Sequence, residues 1–257
     1  MSAKAVAIVT GASQGIGKAT ALRLARDFPA LVLAAREEDK LEQTAAEVKA
    51  AGAEAMICAV DLSKAQAADA VIDGALDRFG RVDALLNIAG AVPQTDLFEM
   101  TDAQWDDGMA LKFHGARRLT MRAWSALKAA KGSVVFMSGG AAFAPKPAFA
   151  AVAAINAAIN ALAKAFAEQG IKDGVQVNSV SPGAVMTGRR RAFFEKWAPA
   201  HNLTVEEAIR QFPEKAGISR FGQPEEIAEL MSYLVSPGAR WMTGAALRMD
   251  GGESKGI

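Results

Sequence analysis

The feature that most constrains this chain is an apolar run that ends in a glycine turn near the N-terminus. Val6–Val9 is apolar, and Gly11, Gly15 and Gly17 follow at the spacing G-x-x-x-G-x-G. A helical pattern then covers residues 18–26. A buried strand, a tight turn and a helix start form an anion site in this order, because the helix dipole and free N–H groups point at a phosphate. The stretch therefore predicts the first turn of a dinucleotide-binding α/β fold, where the pyrophosphate lies.

Short apolar runs alternate with helical patterns along the whole chain. The runs that we predict to be strands are Ala5–Val9, Ala30–Ala34, Glu54–Val60, Ala84–Ile88, Gly132–Met137, Gln176–Ser181 and Ala246–Met249. Such alternation implies a parallel sheet covered on both faces, and continuously apolar strands are typical of one. We predict one Rossmann-like, doubly wound α/β domain over residues 1–257, with a seven-stranded parallel sheet. A chain of 257 residues with 51% hydrophobic residues suits such a domain.

Composition and charge exclude several classes of protein. The formal net charge of +1 gives no support to nucleic-acid binding. The single cysteine, Cys58, allows no internal disulfide, which fits a reducing cytoplasm. We expect no signal peptide, because the first apolar run already serves as a strand. The Ala-rich run from Phe149 to Ala167 carries Asn156, Asn160 and Lys164, which argues against a membrane span.

One long irregular stretch, Gly183–Phe221, follows the sixth predicted strand. It contains an amphipathic segment, Val205–Phe212, and three consecutive arginines, Arg189–Arg191. An insertion at the carboxyl end of a parallel strand is where such folds place a substrate lid, so we interpret residues 183–221 as a lid. The arginines could hold an anionic substrate such as a carboxylate or a phosphate ester, or could form a solvated basic loop.

The end of the second strand bears on the choice of cofactor. An acid there would bind the adenosine ribose of NAD, but Ala35 occupies this position and Arg36 follows it. An arginine at this place can meet the 2′-phosphate of NADP, so we favour NADP(H) over NAD(H). The alternative is that Arg36 is solvated and that Glu37 or Glu38 reaches a ribose.

Two further predicted strands end on polar residues. Asp61 and Leu62 close the third strand. The Asp61 carboxylate could accept a hydrogen bond from the adenine amino group, or could cap the helix near Ser63. The segment Asn87–Gly90 closes the fourth strand.

Taken together, six segments resemble the short-chain dehydrogenase/reductase family, in order and at the family spacing. They are Thr10–Gly17, Asp61–Leu62, Asn87–Gly90, Val177–Gly183 with Thr187, Arg220–Glu226, and Thr243–Gly244 with Asp250–Gly252. The resemblance covers nearly the whole chain. It implies a Rossmann domain, a nicotinamide cofactor and hydride transfer between a carbonyl and an alcohol. It also implies a homotetramer or homodimer built on the helices after the fourth and fifth strands.

The glycine turn and the resemblance together predict which residues contact the cofactor. These residues are Gly11, Ser13, Gln14, Gly15, Ile16, Gly17, Arg36, Asp61, Leu62, Asn87, Ala89, Gly90, Pro182, Gly183, Val185 and Thr187.

The family's catalytic residues are replaced. In the family, a tyrosine is the acid/base, a lysine four residues later lowers its pKa, an asparagine anchors a water, and a serine orients the carbonyl. The family register places Val152 at the tyrosine position, Asn156 at the lysine position and Lys112 at the asparagine position. The serine position falls at Gly139, next to Ser138, which is the remaining candidate for the serine's role.

No other register supplies the tyrosine. The only tyrosine in the chain is Tyr233, in an apolar helical run where we expect it to be core. Because a general acid or base contributes about 10²- to 10⁴-fold, conventional carbonyl reduction should be very weak. The exchanged residue types suggest that Lys112 reaches into the site and restores a positive charge near the nicotinamide ribose, where burial could lower its pKa towards the working range. The alternative is that Lys112 is solvated and that Asn156 is a polar group between helices.

Four other polar residues are weaker candidates. His114 lies two residues after Lys112 and so points to a different side of the helix. We expect His114 and His201 to be structural. Asn160 and Lys164 share a helix face with Asn156, and the resemblance favours a subunit interface for them. We find neither a cluster of metal ligands nor a Ser-His-Asp arrangement, and we expect no metal.

Three functions are compatible with these observations. The first is an NADP(H)-dependent oxidoreductase with a non-standard site, in which Lys112, Ser138 or a bound water donates the proton. The second is a catalytically silent NADP(H)-binding subunit or sensor. The third is non-redox chemistry on the same fold, such as that of a lyase or dehalogenase, although the three glycines of the phosphate turn are all retained. We expect a small-molecule substrate, cytoplasmic location, and neither nucleic-acid nor membrane partners.

Overall fold

The computed structural model describes residues 5–256; residues 1–4 and 257 of the predicted domain lie outside the described part. The described chain forms a sheet of seven parallel strands in the order β3-β2-β1-β4-β5-β6-β7. The strands are β1 Val6–Thr10, β2 Ala30–Ala35, β3 Glu54–Ala59, β4 Ala84–Asn87, β5 Ser133–Met137, β6 Gln176–Pro182 and β7 Ala246–Met249. All seven predicted strands are confirmed, with ends that differ by at most one residue.

Helices connect the strands. They are α1 Gly15–Leu24, α2 Glu38–Ala50, α3 Ala67–Phe79, α4 Asp102–Gly108, α5 Ala116–Ala130, α6 Ala150–Asp173, α7 Gly188–Ala200, α8 Val205–Ala216 and α9 Pro224–Leu234. A π-helical segment, Met109–Gly115, joins α4 to α5 without a break.

The core consists of two apolar layers, one on each face of the sheet. Alternate residues of a strand point to opposite faces. Ile8 of β1 therefore packs with Leu119 of α5 and Ile159 of α6, whereas Val9 packs on the other face with Met231 of α9 and Leu24 of α1. Both layers are needed to bury strands that are apolar on both sides, and they confirm the doubly wound α/β fold.

The segment 183–221 is more regular than the sequence suggested. It was expected to be irregular with one amphipathic segment, but it forms the two helices α7 and α8. The amphipathic segment is the first part of α8, which starts with a capping box between Thr204 and Glu207. A separate apolar cluster holds the two helices together around Phe194, which is 1% exposed. Burial of such a side chain contributes about 1.5–3 kcal/mol, which gives this segment a core of its own.

Tyr233 is not a core residue, so that prediction is wrong. The side chain is 47% exposed, and its hydroxyl donates a hydrogen bond to the Gly238 carbonyl. The buried face of α9 is formed by Ile227, Met231 and Leu234. Position 233 falls beside this face rather than on it, because a helix turns 100° per residue.

One helical stretch, Pro147–Asp173, is long and apolar enough to cross a membrane by length and composition alone. It contains α6, whose Ile155, Ile159 and Ala163 are buried, and α6 packs against β5 and β6. A core helix of this kind passes the same length and composition test, so the stretch is weak evidence for a span.

Candidate active site

The glycine turn between β1 and α1 has the backbone geometry that the sequence predicted. Gly11 and Gly15 have φ of +67° and +56°, which favour glycine. A methyl group on Gly17 would collide with the Gly11 carbonyl oxygen. Helix α1 begins at Gly15, so the N–H groups of its first turn have no acceptor within the helix. This turn fits the diphosphate of a dinucleotide, because it offers N–H donors at a helix N-terminus.

Two other loops meet the glycine turn at the same edge of the sheet. The Thr10 hydroxyl accepts hydrogen bonds from the N–H groups of Ile88 and Ala89 at 2.8 and 2.9 Å. The Thr187 methyl group lies 3.5 Å from the place of a Cβ on Gly15. The loops after β1, β4 and β6 therefore converge, as expected for parallel strands whose carboxyl ends share one edge.

The adenosine end of the cleft carries Arg36 directly after β2, and Arg36 is exposed. Its alternative, Glu37, forms an ion pair with Lys40 at 2.6 Å. The Asp61 carboxylate accepts a hydrogen bond from the Ser63 N–H at 3.0 Å, and this bond is the main cause of its lowered pKa, with a smaller contribution from the nearby Arg36. Helix α3 begins only at Ala67, so Asp61 stabilises a turn and does not cap that helix.

Several predicted cofactor contacts could be made only by backbone atoms. Leu62 and Val185 are buried, and Val185 pairs with Gly222 in a parallel bridge. The Asn87 side chain is buried and donates to the Thr120 hydroxyl at 3.1 Å, beneath the cleft. These three residues shape the cleft wall, and their direct contacts with a cofactor stay predictions. Ser13, Gln14, Ile16, Ala89, Gly90, Pro182 and Gly183 are half-buried or exposed.

Lys112 lies in the π-helical segment, close to the start of α6. Its aliphatic stem packs against Gly90, where a Cβ would lie 3.0 Å from the Lys112 Cγ and Cδ. Its ammonium group donates to the Ser138 carbonyl at 3.0 Å and to Asn156 Oδ1. Lys112 therefore contacts Asn156 and is half-buried, which favours the hypothesis that it reaches into the site over the alternative of a solvated side chain. That it supplies a positive charge near a nicotinamide ribose stays a prediction.

The surroundings of Lys112 favour its neutral form. Lys112 is half-buried, and Asn156 is 2% exposed. Burial, with a smaller repulsion from Arg189, lowers the pKa of Lys112 from 10.5 to about 7. An amine with this pKa can give up or accept a proton near neutral pH.

The family register assigns its serine to position 139, where this chain has a glycine and the Asn156 side chain lies close by. A Cβ on Gly139 would lie 2.7 Å from Asn156 Nδ2, so the Asn156 amide occupies the space of a side chain at 139. Ser138 is 4% exposed, and its hydroxyl donates to the backbone carbonyl of Asn156 at 2.9 Å. The hydroxyl therefore fixes α6, and the Ser138 carbonyl binds Lys112; a catalytic role of Ser138 stays a prediction. Val152, at the tyrosine position of the register, is half-buried.

The three arginines in the first turn of α7 have different surroundings. Arg189 donates to the Gly90 carbonyl at 3.0 Å and lies close enough to Arg36 for its pKa to be lowered further by repulsion, beyond the effect of burial. The Arg190 guanidinium lies 5.5 Å from the centre of the Phe212 ring. Arg191 forms ion pairs with Glu195 and Glu206. Of the three, Arg189 reaches across to the loop after β4.

The remaining polar candidates do not contact Lys112 or Asn156 through any bond found in residues 5–256. Burial and the charges of Arg117 and Arg118 lower the pKa of His114. His201 stacks on Trp197 with ring centres 3.8 Å apart. Asn160 accepts a hydrogen bond from Ser179 at 2.9 Å, and Lys164 forms an ion pair with Glu168. The contacts of Asn160, Lys164 and His201 support a structural role for these three, and the role of His114 stays a prediction.

Two features of the site were missed from sequence. One is the π-helical segment, which carries Lys112 and is a kind of distortion common at functional sites. The other is the hydrogen bond from Arg189 to Gly90, which spans 99 residues. Neither feature leaves a local sequence signal. The π-helical segment ends at Gly115, where a Cβ would lie 2.7 Å from the Leu62 carbonyl oxygen, so a larger residue would not fit there.

Comparisons with known proteins agree with this geometry. A family model described as enoyl-(acyl carrier protein) reductase matches residues 11–254. The chain is 32% identical to a 3-oxoacyl-[acyl-carrier-protein] reductase from Synechocystis, over 96% of each protein. It is also 32% identical to an uncharacterized oxidoreductase, YvaG, from Bacillus subtilis, over 96% of this chain and 94% of that protein.

Solved structures show the same similarity. L-sorbose reductase from Gluconobacter frateurii, complexed with NADPH and L-sorbose, matches with a TM-score of 0.94 and 28% identity, over 100% of this chain and 98% of that one. A variant of actinorhodin polyketide ketoreductase with NADPH matches with a TM-score of 0.93 and 30% identity, over 98% of both chains. The sheet order, the glycine turn and these matches over nearly the full length show that the chain belongs to the short-chain dehydrogenase/reductase family.

Proposed function

We propose that this protein is an NADP(H)-dependent oxidoreductase that interconverts a carbonyl and an alcohol, with Lys112 as the proton donor and acceptor. The observation that carries the proposal is the position of the Lys112 amine, between the Ser138 carbonyl and Asn156 Oδ1 at the carboxyl edge of the sheet. Lys112 would thus take over the work of the family's tyrosine, from a different element of the fold.

The residues of the cleft fit both the diphosphate and the 2′-phosphate of NADP(H). The first turn of α1 would hold the diphosphate, and Arg36 would hold a 2′-phosphate. The bound NADPH of two solved relatives supports this choice of cofactor. When bound, the reduced nicotinamide supplies a hydride. The protein therefore has to supply a proton to the oxygen of the carbonyl.

The hydrogen bonds of Lys112 suit both of its protonation states. A charged ammonium has three N–H donors, of which Ser138 and Asn156 take two. The third is free to donate to a carbonyl oxygen. After the proton has left, the neutral amine keeps both hydrogen bonds and has its lone pair in the third position. Proton transfer therefore requires no rearrangement of the two partners.

The pH dependence of the reaction tests this role. Because the donor must be protonated, kcat/KM for reduction should be constant below about pH 7 and fall roughly tenfold per pH unit above it. Oxidation of the alcohol should show the opposite sign and rise up to about pH 7. The measurement is kcat/KM between pH 5 and 10 with NADPH and a ketone panel of ethyl acetoacetate, L-sorbose and 4-phenyl-2-butanone. A flat profile through pH 7 would contradict the proposal.

Cofactor choice is tested at Arg36. In an Arg36→Ala variant, we expect NADPH affinity to fall about 10- to 100-fold, since a hydrogen bond to a charged group is worth about 1.5–3 kcal/mol. NADH affinity should stay within about twofold. Both are measured by energy transfer from tryptophan to the nicotinamide, with the exposed Arg26→Ala as the matched control. An equal loss for both cofactors would show that Arg36 does not contact the 2′-phosphate.

A second candidate function is a silent NADP(H)-binding subunit or sensor. It is favoured by Val152 and Gly139, which carry no hydroxyl at the two positions where the family has one. Tight NADPH binding without any oxidation of NADPH by the ketone panel would favour this silent subunit or sensor.

Non-redox chemistry of the lyase or dehalogenase type is disfavoured by the intact glycine turn. It would become the favoured function if neither NADPH nor NADH bound.

The proposal also covers the substrate class, the location, the segment 183–221 and self-association. A small-molecule substrate is consistent with L-sorbose reductase, which binds L-sorbose. We also propose a cytoplasmic location, in keeping with the single cysteine. We propose that residues 183–221 act as a lid and that an anionic group of the substrate would contact Arg189.

We also propose that the protein self-associates through α5 and α6. The proposal is supported by Met121, which is 56% exposed, and by the exposed Ala154 and Ala157.

A further inference from the structure

The lid contains an apolar cavity of about 220 Å³. Its walls are mainly aromatic and aliphatic side chains, namely Phe149, Phe193, Phe194, Trp197, Leu203 and Phe212. The rings meet edge to face: Phe194 lies 5.5 Å from Phe193 and 5.6 Å from Phe212 between ring centres. Rings in this arrangement offer both faces and edges, which favours another ring as the guest.

The cavity lies on the side of α6 that carries Asn156. Phe149 immediately precedes α6, and Val152 and Asn156 follow it after three and seven residues. This spacing puts the three side chains on one side of the helix. Two helical turns separate Phe149 from Asn156, which is about 10 Å along the axis. Val152 lies between them and is half-buried, so an apolar strip runs from the cavity towards Lys112.

A larger hollow nearby is less suitable. It is lined by Leu97, Pro147, Ala154 and Ala157, among others, and is wide open to solvent. Ala154 and Ala157 lie on a different side of α6 from Asn156, because they follow Phe149 by five and eight residues. A ligand in that hollow would not approach Lys112 along the strip.

We propose that the lid cavity binds an aromatic ring of the substrate, and that the reacting carbonyl lies beside Lys112, at the end of the strip away from the cavity. The size of the cavity supports a single ring with a short linker, since an apolar cavity of roughly 150 Å³ can hold one benzene ring. The position of the carbonyl rests on the proposed function, whereas the binding of the ring does not.

The test compares two ketones with ten carbons each, 4-phenyl-2-butanone and 2-decanone. Both are titrated into the full chain with and without NADPH, and tryptophan fluorescence is followed, because Trp197 lines the cavity. We expect the aryl ketone to bind at least tenfold more tightly than the alkyl ketone. Equal or tighter binding of 2-decanone, or no binding of either ketone, would overturn the proposal.

Variants of the cavity wall locate the binding. Ala208 is 2% exposed and lines the cavity, so Ala208→Leu should fill it and reduce aryl-ketone affinity at least tenfold without changing NADPH affinity. The exposed Ala46→Leu on α2 is the matched control. If Ala208→Leu does not fold, Phe212→Ala should cause a similar loss by removing a wall of the cavity.

The two proposals fail separately. Binding of the aryl ketone that Ala208→Leu abolishes, without NADPH oxidation, would contradict the proposed function and support the cavity. NADPH-dependent reduction of 4-phenyl-2-butanone with an unchanged KM in both wall variants would support the function and overturn the cavity.

Discussion

Replacing Lys112 with methionine is expected to lower kcat/KM for NADPH-dependent ketone reduction by about 10²- to 10⁴-fold, the usual contribution of a general acid. Methionine preserves the apolar stem that packs against Gly90 but cannot donate a proton. The loss should be found mainly in kcat, because the donor acts on the oxygen as charge develops there. Steady-state kinetics with the ketone panel measure this effect.

A matched control separates chemistry from folding. The exposed Lys172→Met on α6 should keep full activity. The substitution has two opposing effects on stability: it removes a buried charge, and it leaves the Ser138 carbonyl and Asn156 Oδ1 without their hydrogen-bond donor. We therefore expect the Lys112→Met protein to unfold cooperatively, as the parent protein does. Unchanged activity and unchanged NADPH affinity in Lys112→Met would remove Lys112 from the site.

The fold was predictable because its signals are local and repeated. Each strand is a short apolar run, such as Ile8 with its neighbours, because burial on both faces requires apolar residues at successive positions. The glycine turn was predictable for a stronger reason: Gly11 and Gly17 are required by a positive φ and by a close backbone approach.

Local sequence patterns did not predict the first helix of the segment 183–221 or the exposure of Tyr233. Helix α7 carries Arg189–Arg191 and a proline, Pro199, so its pattern is not that of a simple amphipathic helix. It is stabilised by contacts with α8 around Phe194, which no local pattern shows. Tyr233 was assigned to the core by its apolar neighbours, but the direction of a helix side chain depends on its angular position.

The pairing of Lys112 with Asn156 was suggested by register, but its details depend on tertiary structure. The backbone N–H groups of the π-helical segment bond to carbonyls five residues away, and this pattern depends on how the helix packs. The position of Asn156 also depends on Gly139, since any side chain there would displace the amide. The side chains at positions 112 and 156 and the missing side chain at 139 therefore depend on one another, and we expect a Gly139→Ser change alone to disturb the contact of Asn156 with Lys112.

The cofactor half of the site is tested by Gly17→Ala, for which we expect a loss of NADPH affinity of about 5- to 150-fold. The added methyl group would collide with the Gly11 carbonyl oxygen, which is backbone and has little room to move. Overpacking of this kind costs about 1–3 kcal/mol or more, and about 1.4 kcal/mol corresponds to a factor of ten in affinity. Strain would also move the start of α1, and with it the N–H groups expected to bind the diphosphate.

The control for this prediction is Gly256→Ala, at a glycine with no atom within 4 Å of the added methyl group and no positive φ. It should bind NADPH as the parent protein does. Energy transfer from tryptophan gives the affinity, and thermal unfolding shows whether Gly17→Ala remains folded. Because the cavity is lined by α7, α8, Leu203 and Phe149 and not by α1, a folded Gly17→Ala protein should keep the proposed aryl-ketone binding while losing NADPH. Native NADPH affinity in this variant would mean that the glycine turn does not hold the diphosphate.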